Sequence, residues 1–197
     1  MKQAKRLKRP KGENMARIIL ITGGSRSGKS AYAQALAESV SGIRTYIATC
    51  PVIDEEMDKR IRKHREARQA SSWRTIEEAK NLADALKRAR ESRVILVDCL
   101  TLWVNNLMYE AESQGRDITE EDIAALCRGI IDVCDDLPGM IIFVTNEVGM
   151  GIVPENPASR LFRDLTGRCN QIIAGRADAV TFMVSGLPIN IKGDKII

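Results

Sequence analysis

The sequence predicts an α/β domain built on a mostly parallel β-sheet with helices on both faces. Two observations support this prediction. Short runs of apolar and β-branched residues, each suited to a buried strand, recur at 17–22, 44–48, 93–98, 140–145 and 179–184. Longer segments with helical patterns separate these runs, and this alternation is typical of a parallel sheet whose two faces are covered.

The helical segments and a last strand complete the predicted order of elements. The final apolar run, 188–192, follows Ser185-Gly186 too closely for a crossover connection, so we expect an antiparallel strand at the sheet edge. No internal repeat interrupts the pattern. Helices are predicted near 29–40, 54–70, 77–91, 100–113, 119–136 and 156–177.

The charge of the chain is concentrated at its amino terminus. The 197 residues carry a formal net charge of +4, but residues 1–14 contain six Lys or Arg and one Glu, so the remainder is close to neutral. We therefore expect a disordered basic tail at 1–14, followed by a single folded domain at 15–197. A nearly neutral domain with three Phe and three Tyr argues against a nucleic-acid-binding function.

The cysteines and the apolar segments bear on the cellular compartment. Five cysteines occur without a CxxC pair and with a single histidine, which favours neither a disulfide framework nor a zinc site. No apolar run approaches the roughly 20 residues that span a bilayer, and no apolar stretch precedes Ile18 as it would in a secretory signal. We expect a cytoplasmic protein without a membrane span.

The first predicted strand leads into a complete GxxxxGK[ST] motif. In such a phosphate-binding loop (P-loop), backbone N–H groups and the N-terminus of the following helix face phosphate oxygens. Lys29 is predicted to contact the β- and γ-phosphates of a nucleoside triphosphate, and the Ser30 hydroxyl is predicted to bind Mg²⁺. The motif consists of Gly23, Gly24, Ser25, Arg26, Ser27, Gly28, Lys29 and Ser30.

The strand predicted at 93–98 ends in an acid, Asp98. Four apolar residues followed by an acid form a Walker B pattern, and ligands of open α/β sheets bind at the carboxyl ends of the strands. Many buried strands end in aspartate, so the pattern is weak alone. Together with the P-loop it predicts that Asp98 belongs to the Mg²⁺ shell.

The single histidine, His64, lies in the charged helix predicted at 54–70. Four-residue spacing puts Arg60, His64 and Arg68 on one face, where neighbouring cations keep an imidazole neutral near pH 7. A neutral imidazole is a competent nucleophile toward the α-phosphorus of a nucleotide. The residues alone nevertheless favour a solvated charged helix that happens to contain a histidine.

From Ile18 to Lys192 the chain resembles the bifunctional adenosylcobinamide kinases and adenosylcobinamide-phosphate guanylyltransferases. The P-loop is common to many enzymes, whereas the histidine segment and the segment at 144–154 are distinctive of this family. The matching segments are ITGGSRSGKS (21–30), YIAT (46–49), DEEM to RIRKHREAR (54–68), WRTIEE (73–78), LVDCLTLWVNNL (96–107), VTNEVGMGIVP (144–154), FRDLTGRCNQ (162–171) and VSG (184–186).

The resemblance implies a fold, an activity and an assembly. The fold is a RecA-like P-loop NTPase sheet, and the assembly is a homotrimer. The activity is phosphorylation of adenosylcobinamide with ATP or GTP, followed by transfer of GMP from GTP to give adenosylcobinamide-GDP in cobalamin biosynthesis.

The resemblance also assigns roles to individual residues. His64 matches the histidine that carries covalent GMP, and this reverses the interpretation from the residues alone. Asp98 matches a position occupied by Asp or Glu. The other positions that match nucleotide-contacting residues are Arg65, Glu66, Ala67, Arg68, Glu77, Ala48, Thr49 and Cys50.

The segment around the end of the strand predicted at 140–145 has two interpretations. Thr145, Asn146 and Glu147 follow a predicted strand and could contact the corrinoid, or the loop that continues through Gly149, Met150, Gly151 and Pro154 could be scaffolding. Trp73 and Trp103 are predicted to pack in the core or at an interface rather than to stack on a ligand.

Two further functions are compatible with a P-loop. A small GTP-binding switch protein would need a guanine-specificity loop of NKxD type, and the sequence contains none. A monofunctional metabolite kinase would use the same P-loop with His64 as a bystander. Replacement of His64 by Ala would separate the kinase from a guanylyltransferase.

Overall fold

The computed structural model describes residues 15–50 and 73–194, which form a seven-stranded sheet with helices packed against it. The predicted tail at 1–14 and the predicted helix at 54–70 lie outside these residues. The strands are β1 (Arg17–Gly23), β2 (Arg44–Ala48), β3 (Trp73–Glu77), β4 (Val94–Asp98), β5 (Met140–Val144), β6 (Ala179–Val184) and β7 (Leu187–Lys192). The helices are α1 (Lys29–Glu38), α2 (Leu82–Arg88), α3 (Leu100–Ser113), α4 (Glu120–Asp135) and α5 (Pro157–Arg176).

The sheet has the strand order β3-β2-β4-β5-β1-β6-β7. The first six strands in this order are parallel, and β7 pairs antiparallel with β6 at the edge. The predicted parallel sheet with an antiparallel edge strand is therefore confirmed. Because β5 lies between β1 and β4, the carboxyl ends of these three strands are neighbours.

Helices cover both faces of the sheet, as the sequence predicts. On one face α1 places small side chains, Ala33 and Ala37, with Leu36 against the buried residues of the central strands. On the other face α2 to α5 bury a larger cluster that includes Trp103. Burial of an apolar side chain stabilises the fold by roughly 1.5–3 kcal/mol, so these two clusters hold the helices on the sheet.

Local signals in the sequence fix the ends of several helices. The Arg44 guanidinium donates hydrogen bonds to the carbonyls of Ala37, Glu38 and Val40, so it satisfies the acceptors at the carboxyl end of α1. Before α4, Thr119 and Asp122 form a capping box. Before α5, the Asn156 side chain accepts from the N–H groups of Ala158 and Ser159, and Pro157 occupies the first turn.

The prediction for residues 73–91 is wrong in part. Trp73–Glu77 forms strand β3 at the sheet edge, where the sequence analysis recognised no strand, and the helix predicted at 77–91 is confined to Leu82–Arg88. Trp73, Thr75 and Ile76 favour a strand, but β3 is only half-buried. It therefore lacks the continuous apolar run by which the other strands were recognised.

The two tryptophans pack as the sequence predicts. Trp103 is buried in the larger cluster, and its indole N–H donates to the carbonyl of Lys80 over 2.6 Å. Trp73 is half-buried and meets the ring of Tyr46 edge to face, with centroids 6.3 Å apart. Within residues 15–50 and 73–194, no helix combines the length and apolar character needed to cross a bilayer.

Candidate nucleotide-binding site

The P-loop connects β1 to α1 at the carboxyl edge of the sheet. β1 ends at Gly23, which has a φ of +148°, and a Cβ built there would overlap the carbonyl oxygen of Met183 on β6. Glycine is therefore required where the loop leaves the sheet. The backbone N–H of Gly186, in the turn between β6 and β7, donates to the carbonyl of Ser27 over 3.0 Å. This hydrogen bond holds the β6–β7 turn against the P-loop.

Lys29 begins α1 and turns its ammonium back into the loop. Its Nζ donates to the carbonyl of Gly24 over 2.5 Å and lies 3.4 Å from Ser27 Oγ, and the residue is only 7% exposed. Burial lowers the pKa of the Lys29 ammonium, while Cys99 and Asp98 act in the opposite direction. The cation lies within the loop that the motif predicts for phosphate oxygens.

Asp98 ends β4 on the far side of β5 from the P-loop. The register pairs Val144 of β5 with both Asp98 and Ile21, so the acid lies level with the part of β1 that leads into the loop. The Asp98 carboxylate is half-buried, and its Oδ2 accepts a hydrogen bond of 3.0 Å from the Tyr46 hydroxyl.

The residues predicted for Mg²⁺ fit that ion in their chemistry. Ser30 is exposed in the first turn of α1, and its hydroxyl and the Asp98 carboxylate are hard oxygen donors, which Mg²⁺ prefers. No cluster of three or more His, Cys, Asp or Glu suited to a metal occurs among the residues described. Mg²⁺ usually keeps several waters and shares phosphate oxygens, so one hydroxyl and one carboxylate are enough protein ligands for it.

The residues predicted after β2 lie beside this edge. Ala48 is at the same level of the sheet as Glu77 and Asp98, which end the two neighbouring strands. Thr49 is fully buried, and its hydroxyl donates to the Cys99 carbonyl and accepts from the Cys99 N–H, both over 2.8 Å. Thr49 therefore joins the ends of β2 and β4. Glu77 is exposed and Cys50 is half-buried.

Cys99 is a residue near the site that the sequence analysis did not single out. Its side chain is buried beside Lys29 and Asp98. Burial, together with the negative charge of Asp98, raises the pKa of the Cys99 thiol to about 11. The group is therefore an uncharged thiol at neutral pH and a poor nucleophile. Its position directly after the Walker B acid is the sequence signal that identifies it.

A buried polar network fixes the segment that follows β5. The Thr145 hydroxyl donates to Asn170 Oδ1 over 2.7 Å and lies 3.2 Å from the Thr101 hydroxyl. The Asn146 N–H donates to Thr101 Oγ1 over 2.7 Å, and Asn170 Nδ2 donates to the Asn146 carbonyl over 3.1 Å. The Glu147 N–H then donates to the Gly23 carbonyl over 3.0 Å. The network ties this segment to the start of the P-loop.

The buried network reduces the number of residues at 145–147 that could contact a corrinoid. Thr145 is fully buried, so only Asn146 and Glu147 reach the surface, and contact between them and a corrinoid stays a prediction. In the loop that follows, Met150 and Ile152 are 75% and 96% exposed. Met150 thus does not pack within the described part of this chain.

Several predicted site residues cannot be placed. His64, Arg65, Glu66, Ala67 and Arg68 all lie at 51–72, outside the described residues. The P-loop, Ala48, Glu77 and Asp98 all lie along the carboxyl edge of the sheet, but β2, β4 and β5 separate Glu77 on β3 from the P-loop after β1. The roles of all these residues stay predictions.

The strand–loop–helix geometry and the acid two strands away define a P-loop NTPase fold. A sequence model of the family described as "Cobinamide kinase / cobinamide phosphate guanyltransferase" matches residues 19–191. The chain belongs to this family.

Individual relatives match over nearly their whole length. The bifunctional adenosylcobalamin biosynthesis protein CobP of Pseudomonas aeruginosa is 43% identical over 178 residues, which cover 90% of this chain and 98% of the relative. The bifunctional adenosylcobalamin biosynthesis proteins CobU of Escherichia coli K12 and Salmonella typhimurium are 40% and 43% identical. Each alignment covers 89% of this chain and 99% of the relative. The resemblance inferred from the motifs is confirmed.

Proposed function

We propose that this protein phosphorylates adenosylcobinamide with ATP or GTP and then transfers GMP from GTP to the new phosphate. The product is adenosylcobinamide-GDP, an intermediate of cobalamin biosynthesis. The observation that carries the proposal is the family match over residues 19–191, which includes the complete P-loop.

The first reaction uses the P-loop. The aminopropanol hydroxyl of adenosylcobinamide attacks the γ-phosphorus, the bond to the β-phosphate oxygen breaks, and the hydroxyl proton is released. The N–H groups of the loop and the Lys29 ammonium hold the phosphates and balance the charge on the leaving diphosphate. Ser30 and Asp98 would hold Mg²⁺, which neutralises phosphate charge when it is bound.

The second reaction uses His64. An imidazole nitrogen attacks the α-phosphorus of GTP and releases pyrophosphate, which leaves GMP joined to the ring by a P–N bond. A phosphate oxygen of adenosylcobinamide phosphate then attacks that phosphorus, and the P–N bond breaks. Arg65 to Arg68 and Glu77 are proposed to contact the guanine nucleotide, with Ala48, Thr49 and Cys50 near it.

The remaining features follow from the same proposal. The protein acts in the cytoplasm as a homotrimer, with residues 15–197 as its single domain and residues 1–14 as a tail outside it. The family match over residues 19–191 lies wholly within residues 15–197, which supports the proposal of a single domain there.

Intact-protein mass spectrometry after incubation with GTP and Mg²⁺, without corrinoid, tests the histidine intermediate. The wild type should gain one GMP, and His64→Ala should gain none while still phosphorylating adenosylcobinamide. Lys29→Ala serves as the matched variant, because it should lose phosphorylation by roughly 100-fold or more. A wild type that phosphorylates the corrinoid but never carries GMP would instead be a monofunctional kinase.

A further inference from the structure

Two aromatic residues link the carboxylate of Asp98 to the last turn of α1. The Tyr46 hydroxyl donates to Asp98 Oδ2 over 3.0 Å. The ring of Trp73 meets the Tyr46 ring edge to face at an interplanar angle of 83°. The indole N–H of Trp73 donates over 3.2 Å to Glu38 Oε1, which also accepts from Gln34 Nε2 over 2.9 Å.

The geometry of the sheet explains how Tyr46 reaches the acid. Asp98 pairs in register with Ala48, so Tyr46 starts two residues below it on the neighbouring strand. The long phenol ring covers this distance along the face that α1 packs against. The hydrogen bonds among residues 15–50 and 73–194 leave Asp98 Oδ1 without a partner, so Tyr46 holds one carboxylate oxygen and leaves the other for a ligand.

The chain of contacts returns to the helix that begins at the P-loop. Lys29 and Ser30 start α1, whereas Glu38 ends it. The same helix therefore presents the phosphate-binding residues at one end and, through Trp73 and Tyr46, restrains Asp98 from the other. A carboxylate at the end of a strand would otherwise rotate among several side-chain rotamers.

We propose that Tyr46 is a positioning residue for Asp98: its hydrogen bond fixes the carboxylate in the orientation that receives the Mg²⁺ of a bound nucleotide. Trp73 supports this role by holding the Tyr46 ring. The inference rests on the proposed function of Asp98 as a Mg²⁺ ligand. If Tyr46 served only to fill the core, removal of its hydroxyl would leave Mg²⁺-dependent nucleotide binding unchanged.

Calorimetric titration tests the inference without turnover. The affinity for the β,γ-imido analogue of ATP or GTP, whichever binds the wild type more tightly, is measured over a series of Mg²⁺ concentrations and in EDTA. Tyr46→Phe should need about tenfold more Mg²⁺ for half-maximal binding, since a hydrogen bond to a charged group is lost. Its affinity in EDTA should equal that of the wild type.

Three further variants make the comparison specific. Tyr109→Phe removes an exposed hydroxyl on α3 and should behave as the wild type. Trp73→Phe keeps a ring but loses the N–H, and should shift the Mg²⁺ requirement in the same direction by a smaller factor. Asp98→Asn should shift it strongly, and adding Tyr46→Phe to Asp98→Asn should then change nothing more, because Tyr46 acts through Asp98.

A Tyr46→Phe protein with the Mg²⁺ requirement of the wild type overturns the inference, as does an equal shift in the presence and absence of Asp98→Asn. An Asp98→Asn protein that binds Mg²⁺ and nucleotide normally also overturns it. Failure of the proposed function is a separate outcome: a wild type that does not phosphorylate adenosylcobinamide can still show the Tyr46 dependence of nucleotide binding.

Discussion

The backbone N–H of Gly186 and the carbonyl of Ser27 form a 3.0 Å hydrogen bond that joins the β6–β7 turn to the P-loop. Ser185 and Gly186 both have positive φ, at 51° and 84°, as a two-residue hairpin of this kind requires. The edge hairpin, which contributes no predicted ligand, thus supports the loop that the motif predicts to bind phosphate.

Gly186→Ala should weaken nucleotide binding. A Cβ at this φ costs about 1–2 kcal/mol of unfolding free energy, and a backbone shift that relieves this strain would move the N–H that donates to Ser27. Gly115→Ala is the matched control, because Gly115 has a φ of +64° and, like Gly186, nothing within 4 Å of a built Cβ. Denaturant unfolding should show similar losses in both variants, while only Gly186→Ala should lower nucleotide affinity, by roughly three- to tenfold. Equal affinities in the two variants would contradict the supporting role of the turn.

Gly23→Ala should destabilise the fold even in the absence of nucleotide. The new methyl group would overlap the backbone of Met183, which cannot move without disturbing β6. We expect a loss of about 2–4 kcal/mol in unfolding free energy, within the range of overpacked sites and strained backbone. Gly24→Ala, where a built Cβ meets nothing within 4 Å, should leave the unfolding free energy within about 0.5 kcal/mol of the wild type. Comparable losses in both variants would show that the overlap with Met183 is not the cause.

The buried network around Thr145 should show the difference between a bonded and an unbonded hydroxyl. Thr145→Val removes the donor to Asn170 Oδ1 and should cost about 1–3 kcal/mol. Thr166 is also fully buried, but its hydroxyl has no hydrogen-bond partner among the residues described, so Thr166→Val should be neutral or stabilising. Chemical denaturation of the two variants measures the contrast, and an equal cost for both would argue against the network.

The Cys99 thiol should make the fold less stable at alkaline pH. Its pKa is raised from 9.0 to about 11 in the folded protein, so the unfolded chain loses the thiol proton first. Its contribution to stability is therefore complete below pH 9 and is lost as the pH rises toward 11. The serine of Cys99→Ser does not titrate in this range. Between pH 9 and 11 the unfolding free energy of this variant should therefore fall by about 2 kcal/mol less than that of the wild type. Identical pH profiles of the unfolding free energy would show that Cys99 is not the titrating group.

The sequence predicts the parts of the site that depend on local signals. The P-loop and Asp98 each follow a run of buried apolar residues, and parallel pairing alone places both at the same edge of the sheet. β3 escaped prediction because Arg74, Thr75 and Glu77 are exposed, which breaks the apolar run. An edge strand of this kind is defined by its partner β2 and not by its own composition.

The supporting contacts around the site have no local signal at all. Thr101, Thr145 and Asn170 are 25 to 44 residues apart in the pairs that bond, and each is an ordinary polar residue in its own segment. Tyr46 and Asp98 are separated by 52 residues. Only the strand order makes these pairs neighbours, and strand order is a property of the whole fold.

The position of β5 between β1 and β4 has a consequence for how the protein acquires its activity. β1, which leads into the P-loop, and β4, which ends at Asp98, are not hydrogen-bonded to each other, so only a sheet that contains β5 at residues 140–144 holds the two motifs side by side. During synthesis the P-loop and Asp98 both precede residues 140–144, so the chain contains both motifs before the nucleotide-binding site can be complete. A nucleotide that contacts both motifs binds only the completed sheet. It stabilises the folded state by RT ln(1 + [L]/Kd), where [L] is the free nucleotide concentration and Kd its dissociation constant. The cellular nucleotide pool would thus favour finished molecules over partly assembled ones.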